Sequence, residues 1–309
     1  MWILERLPVN LGDDSAVQDV LTGRADLTDL SLADTALSDD VYRNYRDLVH
    51  RQTGFEFEWL ALNVHAAPFN TRDVRRAVNY AVDRRKIVDL YGRPLQATPT
   101  CQLLMPSFPG YVPHCPYAEP DFVPDVATAR RLVAHSGTVG MSIGIWAPNL
   151  GRLPPVARYL TAVLNSIGYK AQLHLVPANE TTAKFLRNPA NRLQAVLFFG
   201  WSADYPAASN FFPKILSCTS RKIQGDESDN RGGYCNQQLN AVMTAAQSSA
   251  PTDPVTALDD WRKADQMAVD DAAIVPTVDR GALMLTSTRA KNLQVTPLDF
   301  ITLDQMWIK

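Results

Sequence analysis

The chain has 309 residues, 46% of them hydrophobic and 20% charged, which is enough apolar material for one large domain or two smaller ones and rules out a disordered polypeptide. Lys and Arg total 30 against 32 Asp and Glu, a formal net charge of -2, so the cationic surplus that a nucleic-acid backbone demands is missing and no nucleic-acid partner is expected. No run approaches the ~18 apolar residues that span a bilayer, and the start, Met1 to Pro8, lacks the basic, apolar and small-residue order of a signal peptide.

The first 57 residues are weakly patterned, with a short helix over 16–21 and a turn at Gly23-Arg-Ala-Asp26 leading into Leu27. Phe55 to Asn63 alternates as a strand does and ends in a loop containing Pro68. The clearest helix follows. Asn70 or Thr71 can cap it, Asp73 suits its first turn, and Val74, Ala77, Val78, Ala81 and Val82 form one apolar stripe. Arg84, Arg85 and Lys86 read as its solvated basic end, with Gly92 and Pro94 as its stop. From Gln96 to Pro124 the chain is proline-rich and reads as a surface or interface excursion.

A short helix is expected over 125–134. A strand, a helix and a second strand follow at 141–147, 156–167 and 169–176, with Gly168 as helix C-cap and the two strands parallel. Leu193 to Phe199 reads as a buried strand running into Gly200-Trp-Ser-Ala-Asp-Tyr-Pro206. Helices are expected over 237–247 and 255–269, and two separate strands over 274–278 and 282–285.

The four cysteines fall into two local pairs, Cys101 with Cys115 and Cys218 with Cys235, each across a loop-like interval. Read as disulfides, each closure contributes roughly 3 kcal/mol in the chain-entropy model and implies an oxidising compartment. Four reduced thiols are the alternative. Zinc fits less well, because there is no C-x-x-C and His114 beside Cys115 lacks ligand spacing. No metal and no cofactor are expected.

Catalytic signatures are missing. There is no G-x-S-x-G, no H-E-x-x-H, no G-x-x-x-x-G-K-[ST] and no G-x-G-x-x-G. The five histidines are scattered singly, and the pairs Asp39-Asp40, Asp259-Asp260 and Asp270-Asp271 read as solvated. No catalytic residue is assigned, and an enzyme is not expected.

Two segments carry a family resemblance. Leu62-Asn-Val-His-Ala-Ala-Pro-Phe-Asn-Thr-Arg-Asp-Val-Arg-Arg-Ala-Val-Asn-Tyr-Ala-Val-Asp83-Arg84 resembles a pattern of the family 5 bacterial solute-binding proteins, the dipeptide, oligopeptide and nickel-type binding components of ABC importers. It departs from that pattern after the phenylalanine, where Asn70-Thr71 stands for the acidic position. Phe199-Gly-Trp-Ser-Ala-Asp-Tyr-Pro206 resembles the family's W-x-A-D-Y motif. Weaker likeness lies at Gly23 to Asp26, Ile167-Gly168-Tyr169 and the two cysteine pairs.

The resemblance implies an α/β fold: a periplasmic-binding-protein-like (type II) second lobe with a mixed sheet and flanking helices, plus remnants of the first lobe. It divides the chain into a first-lobe remnant at 1–58, a ligand-binding second lobe at 59–280 and a return segment at 281–309. It implies a substrate-binding component that captures peptides or other small solutes with a cationic end, with Asp204 on the ligand's ammonium and Trp201 and Tyr205 beside it. The implied partners are that ligand and the membrane permease of an importer. The implied location is extracytoplasmic in a full-length form, since this chain has no signal peptide of its own. The alternative is the ligand-sensing domain of a larger regulatory protein.

Overall fold

The computed structural model describes residues 14–30, 35–92, 95–118, 121–220, 229–294 and 301–309. Its elements run α1 (Ser15–Leu21), β1 (Leu27–Asp29), α2 (Thr35–Asn44), β2 (Val49–Leu62), α3 (Arg72–Ala81), α4 (Arg84–Leu90), β3 (Ala97–Pro99), α5 (Val126–His135), β4 (Ser142–Pro148), α6 (Leu153–Ser166), β5 (Lys170–Val176) and α7 (Glu180–Arg187). They continue with β6 (Ala195–Leu197), β7 (Trp201–Ser202), α8 (Phe212–Leu216), α9 (Gln237–Ser249), α10 (Pro254–Asp270), β8 (Val275–Thr286), β9 (Ala290–Lys291) and β10 (Trp307–Ile308).

One mixed sheet of eight strands runs in the order β1-β8-β2-β6-β4-β5, with β3 also on β8 and β7 also on β2, and β9 and β10 form a separate two-stranded sheet. β4 lies parallel to both β5 and β6, and the other pairings are antiparallel. This is the mixed α/β architecture expected. Alternation along β2 sends Leu60 and Leu62 to one face, where α3, α5 and α6 bury Val74, Val78, Val133, Val156 and Leu160 against them. Phe57, Trp59 and Ala61 go to the other face, under α8, α9, α10 and the 103–108 segment. A smaller cluster joins Val17, Val20, Leu30 and Val41 to Leu283 and Leu285 at the far end of β8.

The strand–helix–strand unit stands as β4, α6 and β5, and Gly168 takes φ +112°, a conformation that favours glycine. The helix after Pro68 differs from expectation. Backbone at Val82 and Asp83 turns extended, Asp83 accepts from the Lys86 amide, and a second helix, α4, begins. The basic cluster therefore opens α4 rather than closing α3. Arg85 and Lys86 are exposed, but Arg84 is fully buried. Arg84 Nε donates to the carbonyls of Thr100 (2.8 Å) and Pro276 (3.0 Å), and Arg84 Nη2 donates to Asn79 Oδ1 (3.0 Å). Burial pushes the Arg84 guanidinium down to about 10. Pro94 lies outside the described residues.

Three further differences follow from local chemistry. Asp279-Arg280-Gly281 looks like a break, yet β8 runs through it as one strand because β2 on one side and β3 on the other pair with it there. The strand expected over 193–199 is only β6, Ala195–Leu197. Finally, Asp270 and Asp271 are engaged rather than merely solvated. His114 Nε2 sits 2.8 Å from Asp270, and the Tyr234 hydroxyl donates to Asp271 (2.8 Å).

Both cysteine pairs are disulfides, Cys101–Cys115 and Cys218–Cys235. The first closes the proline-rich excursion, whose inner side is far from loose. Asp265 of α10 accepts from the amides of Leu103 (3.0 Å) and Leu104 (3.3 Å) and from Gln102 Nε2 (2.6 Å). One buried carboxyl thus satisfies three donors of a segment that has few ladder bonds of its own.

Candidate functional site

The segment after β6 is shaped by one glycine. A Cβ on Gly200 would lie 2.1 Å from the Phe57 carbonyl oxygen, so any side chain there would push the strand away from β2. With glycine in place, β7 pairs Trp201 with Phe57 and Ser202 with Glu56. The row puts the Trp201 ring on the Phe57 face, half-buried in the second core. Lys214 Nζ covers the Trp201 ring at 5.0 Å.

Beyond β7, Ala203 is buried while Asp204 and Tyr205 are exposed. A buried amide, Asn210, organises the turn. Its Oδ1 accepts from Trp201 Nε1 (2.6 Å) and from the Asp204 amide (3.2 Å), and its Nδ2 donates to Asp204 Oδ2 (3.0 Å). The Asp204 carboxylate is therefore aimed by a neutral group that does not neutralise it. The structure leaves that carboxylate in solvent, and the Tyr205 hydroxyl lies within 3.5 Å of Ser209 Oγ. Asp204, Trp201 and Tyr205 thus share one turn. Asn210 was missed, because nothing in linear spacing distinguishes an amide that folds back six residues.

Behind this turn lies a buried ionic network that sequence reasoning also missed. Arg231 donates to the Phe199 carbonyl (2.8 Å) and pairs with Asp229 (3.2 Å), and its guanidinium lies 4.4 Å from the Trp59 ring and 4.9 Å from that of Phe198. Burial pushes Arg231 down to about 10. Across β2, Arg280 pairs with Glu56 (2.8 Å) and Glu58 (3.2 Å). Burial and the Glu56 charge push Glu58 up to about 7, against the pull of Arg280. A signal was available: the alternation of Glu56 and Glu58 with Phe57 and Trp59 sends the two carboxylates to the face of Leu60, which is core.

The same segment borders a crevice of 290 Å³ lined by Pro148, Pro177, Asn179, Phe198 and Phe199, among others. These residues follow the carboxyl ends of β4, β5 and β6. β4 has its two sequence successors on opposite sides, so this is a topological switch point, where ligands of open α/β sheets bind. Phe199 is exposed at its rim, two residues before Trp201.

Among the described residues no helix is long and apolar enough to cross a membrane. Residues 7–222 match the family described as bacterial extracellular solute-binding proteins, family 5 middle. The probable di/tripeptide-binding protein 5 of Pseudomonas aeruginosa is 26% identical over 256 residues, 81% of this chain and 45% of that protein. The glutathione-binding protein GsiB of Salmonella choleraesuis is 26% identical over 76% of this chain and 44% of its own length. The chain thus spans about half the length of the curated relatives it matches.

Two solved structures share the fold. The clavulanic acid biosynthesis oligopeptide binding protein 2 superposes with a TM-score of 0.85 at 21% identity, covering 96% of this chain and 54% of that one. Haemophilus influenzae OppA, in complex with the peptide RPPGFSPFR, gives 0.78 at 20%, covering 96% and 56%.

Proposed function

The chain belongs to the bacterial extracellular solute-binding proteins of family 5, and on that premise we propose that it forms one wall of the ligand cleft in a substrate-binding component of an ABC importer. The family is one of solute-binding proteins rather than enzymes. The proposed solute is a peptide or similar small molecule with a free ammonium end, in keeping with the di/tripeptide- and glutathione-binding relatives. Asp204 receives that ammonium, Trp201 forms the wall behind it, and Tyr205 flanks it. The proposed division is a first-lobe part at 1–58, the ligand-binding lobe at 59–280 and a return segment at 281–309. The proposed partner is the importer's membrane permease, and the proposed setting is extracytoplasmic, where the two disulfides persist.

The observation that carries this reading is the Asp204–Asn210 arrangement: an exposed carboxylate, fixed in direction by a buried amide, one turn from a half-buried tryptophan. A fixed acceptor loses little entropy on capturing a cation, and a charge-assisted hydrogen bond to ammonium is the strong kind. One wall alone leaves most of the ligand in water, so affinity in this chain should be weak. None of the relatives named above is a regulator, and no observation favours a sensor over a transport component.

Titration of the chain with Ala-Ala and with N-acetyl-Ala-Ala, read by tryptophan fluorescence and NMR shifts at residues 201–210, tests the reading. Free dipeptide should bind with a Kd near the millimolar range or weaker. Acetylation or Asp204→Asn should each weaken it by about tenfold, as expected for one lost charge-assisted bond. Equal binding of the free and acetylated peptides would sink the assignment of Asp204.

A further inference from the structure

The stretch from Leu193 to Ser220 carries one acid and one base, Asp204 and Lys214. The structure brings both to the Trp201 indole. The Asn210 amide accepts from Trp201 Nε1 (2.6 Å) and donates to Asp204 Oδ2 (3.0 Å), which ties the carboxylate to the N–H edge of the ring. Lys214 Nζ lies over the face of the same ring, 5.0 Å from its centroid. Chained through these contacts, the two charged groups are no more than about 15 Å apart. Among the described residues neither of them has an ion pair.

Lys214 stands on a firm base. It is the exposed residue of α8, whose Phe212, Ile215 and Leu216 are buried in the second core. Phe211, just before α8, meets Phe108 at 5.6 Å and Phe212 meets Trp261 at 5.7 Å, edge to face in both cases, so α8 is held against the excursion and α10. On its far side Lys214 borders a crevice of 310 Å³ between α8 and α9, whose lining includes Ser217, Asn240 and Thr244 but no acid. The ring face is thus the contact that holds this cation, and at an exposed site such a contact is weak. A ligand's carboxylate can take up Lys214 without breaking a stronger bond.

We infer that Lys214 receives the carboxylate end of the ligand whose ammonium Asp204 receives, so that the site selects short zwitterionic peptides with a free C-terminus. The inference rests on the Asp204 reading and adds its opposite pole. An extended di- or tripeptide is ~7–11 Å long. With a charge-assisted hydrogen bond at each end it reaches from one group to the other across the indole. A ligand without the carboxylate forgoes that bond and brings its ammonium toward a cation that nothing offsets, so Lys214 both attracts the right ligand and repels the wrong one.

The test is an NMR titration of the 15N-labelled chain, and of Lys214→Met and Lys214→Arg, with Ala-Ala, Ala-Ala amide and N-acetyl-Ala-Ala. The unaltered chain should bind Ala-Ala about tenfold more tightly than the amide, as expected for one lost charge-assisted bond. Lys214→Met keeps much of the stem but not the charge, and should bind the two alike, whereas Lys214→Arg should keep the preference. The preference for free over acetylated peptide should survive in all three proteins, because Asp204 is untouched. Equal binding of Ala-Ala and its amide by the unaltered chain would overturn the inference. So would a preference that persists in Lys214→Met, or tighter Ala-Ala binding by that variant, which would make Lys214 a tethered competitor for the ammonium's place. Each of these outcomes, with the acetyl preference intact, removes the Lys214 role and leaves Asp204 standing. Loss of the acetyl preference removes both.

Discussion

Asp204 and Asp265 are chemically the same group placed in opposite circumstances. Asp265, 1% exposed on α10, accepts from two backbone amides and one side-chain amide of the disulfide-closed excursion. Asp204, in solvent after β7, accepts from one side-chain amide that merely points it. The first is consumed by the fold and the second is left available. What a carboxylate can do for a ligand is set by how many of its lone pairs the protein has already taken, and neither residue's sequence neighbourhood reveals that number.

The comparison can be broken most forcefully at Asp265. Asp265→Ala leaves three buried donors unmet and should cost about 3–5 kcal/mol in denaturant unfolding. A loss below ~1 kcal/mol would mean that the excursion is held by its disulfide and apolar contacts alone.

Acidity gives the next largest effect. Burial pushes Asp265 up to about 7 despite the three hydrogen bonds that pull the other way, and Glu58 also rises to about 7. Each native carboxyl keeps its proton to a higher pH than in the unfolded chain, so between about pH 4 and pH 7 the native state binds more protons. Stability should therefore fall, by roughly 3–4 kcal/mol for each of the two groups, as pH rises through that window. Glu58→Gln should flatten part of the slope in urea midpoints measured across it. A stability that climbs over the same range would contradict the burial argument.

At the other region the effects shrink. Asn210→Ala removes three hydrogen bonds from a buried position but leaves Asp204 free to be solvated, so a loss of about 1–2 kcal/mol is expected. The NMR signature should be a mobile 203–206 turn with the core shifts unchanged. Asp204→Asn should alter stability by less than ~0.5 kcal/mol, in contrast with its tenfold effect on ammonium binding. A large loss of stability there would make Asp204 a second Asp265 and dissolve the contrast.

The sequence made some of this legible and hid the rest for identifiable reasons. The β4–α6–β5 unit could be read because its apolar periodicities are local and Gly168 marks the helix end. The α3–α4 break could not. The apolar stripe continues across Val82, and only the fold supplies the Thr100 and Pro276 carbonyls that draw Arg84 inward. The continuity of β8 through Gly281 was hidden in the same way, because its evidence is the pairing of β2 and β3 on either side. At the proposed site, the turn holding Asp204, Trp201 and Tyr205 is contiguous in sequence and so was named together. The groups that shape it, Asn210 folding back and Arg231 arriving on the Phe199 carbonyl from 32 residues away, are tertiary.

The pairing of β2 with β8 has a mechanical corollary. It runs from Val49↔Leu285 at one end to Leu60↔Val275 at the other, with register shifts between Gln52 and Glu56 and between Glu58 and Trp59. Such a ribbon resists shear, because sliding by one residue would invert every facing. It yields to torsion where its ladder is already irregular. Any relative motion of what hangs on its two ends is therefore a twist pivoting near residues 52–59, and the Arg280–Glu56–Glu58 triad, sitting on that pivot, is its stiffener.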